Sequence, residues 1–281
     1  VRVALVGSSG QFGRALAPVL AERLVWSGGR TDLDVRDAAA VSRMVRESRP
    51  AVVVNATACN DVDGAESDLV EPLDVNAAGP WHLARACRDG AALLVHFSSD
   101  YVFDGASRRP YVEDDCARPV NAYGISKLAG ELLVAASGCE HLLVRTSGLI
   151  GAGGSRVKGG SFVHRILEKA RAGTPLRVVG DQVFSPTYAP DLARAVLALI
   201  ESGARGLFHV TNEGSCTWHG LAVAAVEAAG LRVGVEEISS DDLGAPARRP
   251  RYSVLSNARY LSLGLPPLRP WQQALRELVA S

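Results

Sequence analysis

The sequence predicts an α/β fold: a doubly wound parallel sheet with helices on both faces and a smaller carboxyl-terminal lobe. Three observations carry this. Short β-branched runs alternate with longer helical patterns through the first half of the chain, which is the βαβ order of a parallel sheet. The strand candidates are nearly continuous apolar runs, as strands covered on both faces should be. A glycine-rich turn, GSSGQFG, joins the first strand to the first helix.

In order, Val1–Val6 is the first strand and Gln11–Arg23 the first helix. LVWSG is the second strand and Ala38–Glu47 the second helix. Ala51–Ala56, Ala92–Ser98 and His141–Thr146 continue the sheet, with helices over Asn76–Arg88 and Asn121–Ala136. After about Ser147 the texture changes. GLIGAGGSRVKGG (148–160) reads as a loop, followed by a helix near Ser161–Ala172 and the strand LRVVG. Pro190 and Asp191 open a further helix whose apolar stripe is Leu192, Val196, Leu199 and Ile200, and GLFHV is one more strand. We divide the chain into a dinucleotide-binding domain, 1–147, with later strands from about 176–212 returning to its sheet, and 148–281 as mainly a substrate-binding lobe.

Bulk properties exclude several functions. The 281 residues carry 30 Lys plus Arg against 30 Asp plus Glu, so no basic excess points to nucleic acid or an anionic membrane. The longest apolar stretches, such as LARAVLALI, are too short to span a bilayer. The start of the chain lacks a signal-peptide layout. The five cysteines are scattered and never form Cys-x-x-Cys, and the histidines form no His-Glu-x-x-His. We therefore expect a reduced cytoplasmic protein with no metal site.

Gly7, Gly10 and Gly13 permit a tight turn and close backbone approach, while the helix N-terminus offers free N–H groups to a pyrophosphate. This makes the sheet Rossmann-type. Where an acid after the second strand would hold an adenosine ribose, the sequence is GGRTDLDV. Arg30 there suits a 2′-phosphate, so NADPH is expected over NADH, with Asp34 and Val35 flanking the adenine. Ser99 stands at the carboxyl end of the fourth strand, where open α/β sheets bind ligands. Tyr123 and Lys127 are one helical turn apart on one face. A carbonyl accepting hydride needs a proton on its oxygen. A free phenol, with a pKa of about 10, is a poor donor near neutrality. A neighbouring ammonium would lower that value and make Tyr123 a usable general acid.

These residues resemble the extended short-chain dehydrogenase/reductases through GSSGQFG, NATA, SSDYVFDG and YGISKLAGE. Within them, DQVFSPTYAPDLA, GLFHVTNEGSCTWHGLA and RPRYSVLSN resemble the nucleotide-sugar 4-ketoreductases of the dTDP-4-dehydrorhamnose reductase type, over nearly the whole chain. The resemblance implies NADPH-dependent reduction of a dTDP-linked 4-keto-6-deoxyhexose by a monomer or homodimer. It places Ser99, Tyr123 and Lys127 on the catalytic positions and Gly7, Gly10, Gln11, Phe12 and Gly13 on the pyrophosphate loop. Ala56, Thr57 and Ala58 pass under the cofactor, and Asn76 is a brace. Asn60, Val62, Asp100, Tyr101 and Gly148 fall on positions facing the sugar.

The chain departs from the family pattern in several places. Ser99 stands for the usual Thr, Cys59-Asn60 for Tyr-Thr, and Gly148 for a Trp that packs on the sugar. A 4-keto sugar other than the rhamnose precursor therefore fits as well. Arg248, Arg249 and Arg251 are first candidates for the substrate's diphosphate, then Arg156 and Lys158. Two alternatives stay open: a 4-epimerase and a non-catalytic nucleotide-binding subunit. Dehydration is disfavoured, because Asp100 is followed by Tyr101 rather than by Glu.

Overall fold

The computed structural model describes residues 1–152 and 160–280; Arg156 and Lys158 lie outside them. The main sheet has six parallel strands. Five are β1 (Val3–Val6), β2 (Leu24–Gly28), β3 (Val52–Asn55), β4 (Leu93–Ser99) and β5 (His141–Thr146). Gly206–His209 pairs with β5 at one edge, and the order from there is β5, β4, β3, β1, β2. The order reverses between β1 and β3, so a crevice opens outside their carboxyl ends.

Every residue of β1, β3 and β4 is buried, because helices cover both faces. On one face Leu16 and Leu20 of helix Gln11–Leu20 meet Leu192, Val196 and Leu199 of helix Ala189–Glu201 over Val3, Leu5 and Val95. On the other, Val41 and Val45 of helix Ala38–Ser48 and Leu83 and Cys87 of helix Gly79–Asp89 pack over Ala4, Val53 and Leu94. The helix expected from Asn76 begins instead at Gly79; Asp74–Ala78 winds as a wider π-turn, which lets Asn76 face inward.

One expectation about topology needs correction. Leu176–Val179 is a strand but does not rejoin the main sheet. It pairs in parallel with Val235–Ile238. Val235 and Ile238 flank two exposed glutamates, so the four residues show no period-two alternation to mark them as a strand. Among the described residues after β5, only Gly206–His209 joins the main sheet. The lobe has its own core, in which Val163, Leu167, Phe184, Leu221, Ala225 and Trp271 meet. No helix among the described residues is long and apolar enough to cross a membrane.

Candidate functional site

The crevice is lined first by backbone. Gly7, with φ +86°, turns the chain out of β1, and its N–H donates to Gly28 O across 2.8 Å. A Cβ on Gly7 would stand 2.9 Å from the backbone of Ala56 and Thr57, so the glycine loop and the end of β3 touch. A Cβ on Gly13 would fall 2.1 Å from Gly7 O. Helix Gln11–Leu20 starts after Gly10 with no side chain capping it. A cradle that excludes side chains and presents a helix N-terminus fits a dinucleotide pyrophosphate. Within the loop, Phe12 turns its ring inward, edge-on to Phe97 at 4.7 Å, and is core by side chain. Gln11 reaches across to Leu149 O at 3.5 Å, beside the entry to the lobe.

At the adenosine end Arg30 is exposed and 3.4 Å from Glu71. Two features here escaped the sequence reading. Asp32 lies near the expected acid position, but its carboxylate accepts from Gly29 N at 2.8 Å and closes the turn. Ser9 faces Gly29 so closely that a Cβ there would meet its Oγ at 2.5 Å. Ser9 and Arg30 are both exposed beside Gly29. Asp34 is bound to Arg36, whose guanidinium holds its carboxyl down at about 2. Val35 is not a free flank: its side chain packs on Gly79, and its carbonyl takes a hydrogen bond from His82.

The other wall is built from buried polar side chains. Helix Ala122–Ala136 is N-capped by Asn121, whose Oδ1 accepts from Gly124 N at 2.7 Å while its Nδ2 donates to Arg248 O. Such a cap contributes about 1 kcal/mol. The two glycines of YGISKLAGE let the helix press against its neighbours, since a Cβ would sit 2.2 Å from Tyr101 O at Gly124 and 2.1 Å from Asn76 O at Gly130. Asn76 bonds both the N–H and the carbonyl of Cys59 and the Ser126 hydroxyl, joining the end of β3 to this helix. One turn beyond Lys127, Glu131 makes a buried two-pronged pair with Arg145 of β5, at 2.8 and 2.6 Å.

On this frame Tyr123 is partly exposed, the Ser99 hydroxyl is near enough to its phenol to favour the phenolate, and Tyr101 packs edge-on to its ring at 5.8 Å. Lys127 is 2% exposed, and its ammonium donates to Phe97 O at 2.7 Å. Burial lowers the Lys127 pKa to about 8, with Glu131 opposing. The phenol departs from expectation. Its pKa is raised, first by burial, then opposed by the Ser99 hydroxyl and reinforced by Asp100. Burial disfavours phenolate here, and the ammonium expected to counter it is engaged with the Phe97 carbonyl.

Several expected sugar contacts sit elsewhere. Asp100 is 3% exposed and points into the protein, where Ser99, Ser147 and Ser253 bond its carboxylate. Val62 is buried, and Asn60 is exposed. At Gly148, φ is +50° and a Cβ would lie 2.1 Å from the Phe184 ring. That ring stacks on Trp218 at 4.0 Å, so it fills the space a side chain at 148 would need. Arg249 donates to Asp63 at 2.7 Å and to Ala247 O, and it lies near Tyr101. Arg248 and Arg251 are exposed on a cleft of about 600 Å³, between Asp104–Ala106 and the 240–251 segment.

This architecture has known counterparts. The family model described as RmlD substrate binding domain matches residues 1–281. The chain is 42% identical to dTDP-4-dehydrorhamnose reductase of Streptomyces griseus, over 97% of this chain and 91% of that protein. It is 37% identical to dTDP-4-keto-6-deoxy-D-glucose reductase of Streptomyces niveus, over 97% and 94%. The crystal structure of dTDP-4-dehydrorhamnose reductase from Bacillus anthracis in complex with NADP superposes with a TM-score of 0.95 at 32% identity, covering 99% and 98% of the two chains. With that match running from end to end, the chain belongs to the RmlD substrate-binding-domain family.

Proposed function

We propose that this chain is an NADPH-dependent ketoreductase that converts the 4-keto group of a dTDP-linked 4-keto-6-deoxyhexose to an alcohol. The observation that carries this is the convergence of Ser99, Tyr123 and Lys127 beside a side-chain-free cradle at the carboxyl ends of β1 and β3. The named reductase relatives and the NADP-bound neighbour support it. Residues 1–147 with the returning strand form the cofactor half, and 148–281 mainly the sugar half.

Gly7, Gly10, Gln11 and Gly13 would hold the pyrophosphate through backbone N–H groups, with Ala56, Thr57 and Ala58 beneath the dinucleotide. Ser9 and Arg30 would meet the 2′-phosphate. Bound there, NADPH supplies the hydride to the carbonyl carbon. Tyr123 gives its phenolic proton to the carbonyl oxygen, so one hydride and one proton make the alcohol. A phenol kept protonated by burial is in the right starting state for this donor role. The Lys127 ammonium would stabilise the phenolate left behind. Arg248 and Arg251 would face the sugar's diphosphate, and Arg249 would hold Tyr101 against Tyr123. We place the enzyme in the cytoplasm, as a monomer or homodimer, with neither nucleic acid nor membrane as partner.

Which sugar it takes turns on Gly148, where Phe184 occupies the place of a side chain. The test is loss of NADPH absorbance with dTDP-4-keto-6-deoxy-L-mannose, with its D-gluco counterpart, and with NADH as control. Turnover with the first sugar assigns the rhamnose precursor; turnover with only the second assigns another deoxysugar. No oxidation of NADPH with either, in protein that binds the cofactor, overturns the proposal.

A further inference from the structure

Helix Ala122–Ala136, which carries Tyr123 and Lys127, inverts the usual order of a surface helix. Its two charged residues, Lys127 and Glu131, are both buried. Every exposed residue on it is apolar: Ile125, Leu132, Leu133, Ala135 and Ala136, with Leu132 62% and Ile125 46% exposed. Positions 125, 128, 129, 132 and 136 follow the three-and-four spacing of one helix face. By contrast, helix Phe162–Arg171 turns His164, Arg165, Glu168 and Lys169 to water. Val70, 66% exposed, stands on the short helix Val70–Leu73 that packs against helix Ala122–Ala136. A single exposed leucine means little, but a continuous apolar face on a helix with no outer charge marks a contact surface.

We propose that this face docks a second copy of the chain, the two helices lying antiparallel across a two-fold axis. The charges at the two ends of the helix select that partner. At its start Glu66 accepts from Ala122 N at 2.8 Å, and Asp68 and Glu71 lie exposed on the adjoining turns, Glu71 beside Arg30. At its end Arg88 donates to Ser137 O at 3.2 Å, with Asp89 next to it, and Arg85 stands one turn earlier over the Trp81 ring. The start is therefore acidic and the finish basic. A two-fold axis through the middle of the helix sets each start against the other copy's finish, so the surface complements itself. A parallel pairing would set acid against acid. A membrane fits poorly, because anionic headgroups repel the acidic end. Ile125, Leu132, Leu133 and Val70 offer on the order of 350 Å² per copy, nearly half of the roughly 800 Å² each partner gives to a standard interface, and the charged ends supply a rim.

The test is the mass of the whole chain in solution, by sedimentation equilibrium between about 1 and 50 μM. The unaltered protein should show twice the mass of one chain, with a dissociation constant below about 1 μM. Leu132→Glu sets a carboxylate in the apolar contact and should raise that constant at least about 100-fold. Leu263→Glu, at a leucine 43% exposed elsewhere on the surface, should leave it within about twofold. Arg85→Glu should weaken the dimer about tenfold, because its charge then meets the acidic start of the other copy. Far-UV circular dichroism checks that each variant is folded, and Ile125→Glu replaces Leu132→Glu if that variant is not. A monomer at the highest concentration overturns the proposal, whether or not it sediments with anionic vesicles and whatever the enzyme reduces. A dimer that survives a glutamate at 132 or 125 also overturns it, since its contact lies on another face. A dimer broken by those changes but untouched by Arg85→Glu overturns the antiparallel arrangement.

Discussion

The two walls of the crevice are made of opposite materials. The cofactor wall is backbone: a turn between β1 and a helix, pressed on the end of β3, with charged groups such as Arg30 and Asp34 left in solvent. The catalytic wall is buried side chains: Lys127, Asp100, Asn76, Ser126 and the Glu131–Arg145 pair, held by partners far away in sequence. A wall of backbone tolerates changes of charge but not of volume. A wall of buried polar groups tolerates neither loss of a partner nor loss of a proton.

The largest expected effect separates the walls completely. Tyr123→Phe removes the proton donor and leaves the glycine loop intact. The kcat should fall by about 10³-fold while NADPH affinity, followed by fluorescence, changes little. A variant that loses cofactor binding along with turnover would show that the walls are not independent. A non-catalytic subunit would lose neither.

Next in size is the buried pair. Glu131→Ala leaves the Arg145 guanidinium, 2.6 Å from its partner in the intact protein, without a carboxylate in the core. The cost should be about 3–5 kcal/mol, read as a lower midpoint in urea. On the cofactor wall a charge change should do far less. Arg30→Ala should weaken NADPH about tenfold and leave NADH within about twofold, with no change in the unfolding midpoint. Equal loss for both cofactors would mean that Arg30 does not meet the 2′-phosphate.

The same contrast decides what could be seen in the sequence. The cofactor wall was legible because its parts are consecutive: a strand, three spaced glycines and a helix start. The tyrosine and lysine were legible because they share one helix turn. The inward turn of the Asp100 carboxylate was not, since it depends on Ser147 and Ser253, 47 and 153 residues away. The Phe184 ring in the space beside Gly148 was hidden for the same reason. The pairing of Leu176–Val179 with Val235–Ile238 was missed because a four-residue strand whose partner lies 59 residues on carries no local signal of which sheet it joins. The phenol's direction was misjudged because the sequence shows the lysine's spacing but not that its ammonium is turned to the Phe97 carbonyl.

A pH series on the catalytic wall is the most discriminating, because activity and stability should move in opposite directions. Burial holds the Lys127 pKa at about 8, below the ordinary lysine value of 10.5. Between those values the folded chain holds fewer protons at this site than the unfolded chain. Stability from Lys127 therefore rises with pH across that window and is lost as pH falls through about 8. Turnover should do the reverse, since the ammonium that would stabilise the phenolate disappears above about 8. Comparison with Lys127→Met removes the other groups that titrate there. The unaltered protein should gain stability relative to the variant from about pH 8 to 10.5, by a few kcal/mol at most, while its kcat declines roughly tenfold per pH unit. If stability relative to the variant is flat, the folded lysine titrates at its ordinary value and not near 8. In that case a loss of activity above pH 8 belongs to another group on the catalytic wall, Cys59 first, whose thiol lies close enough to act on both Tyr123 and Lys127.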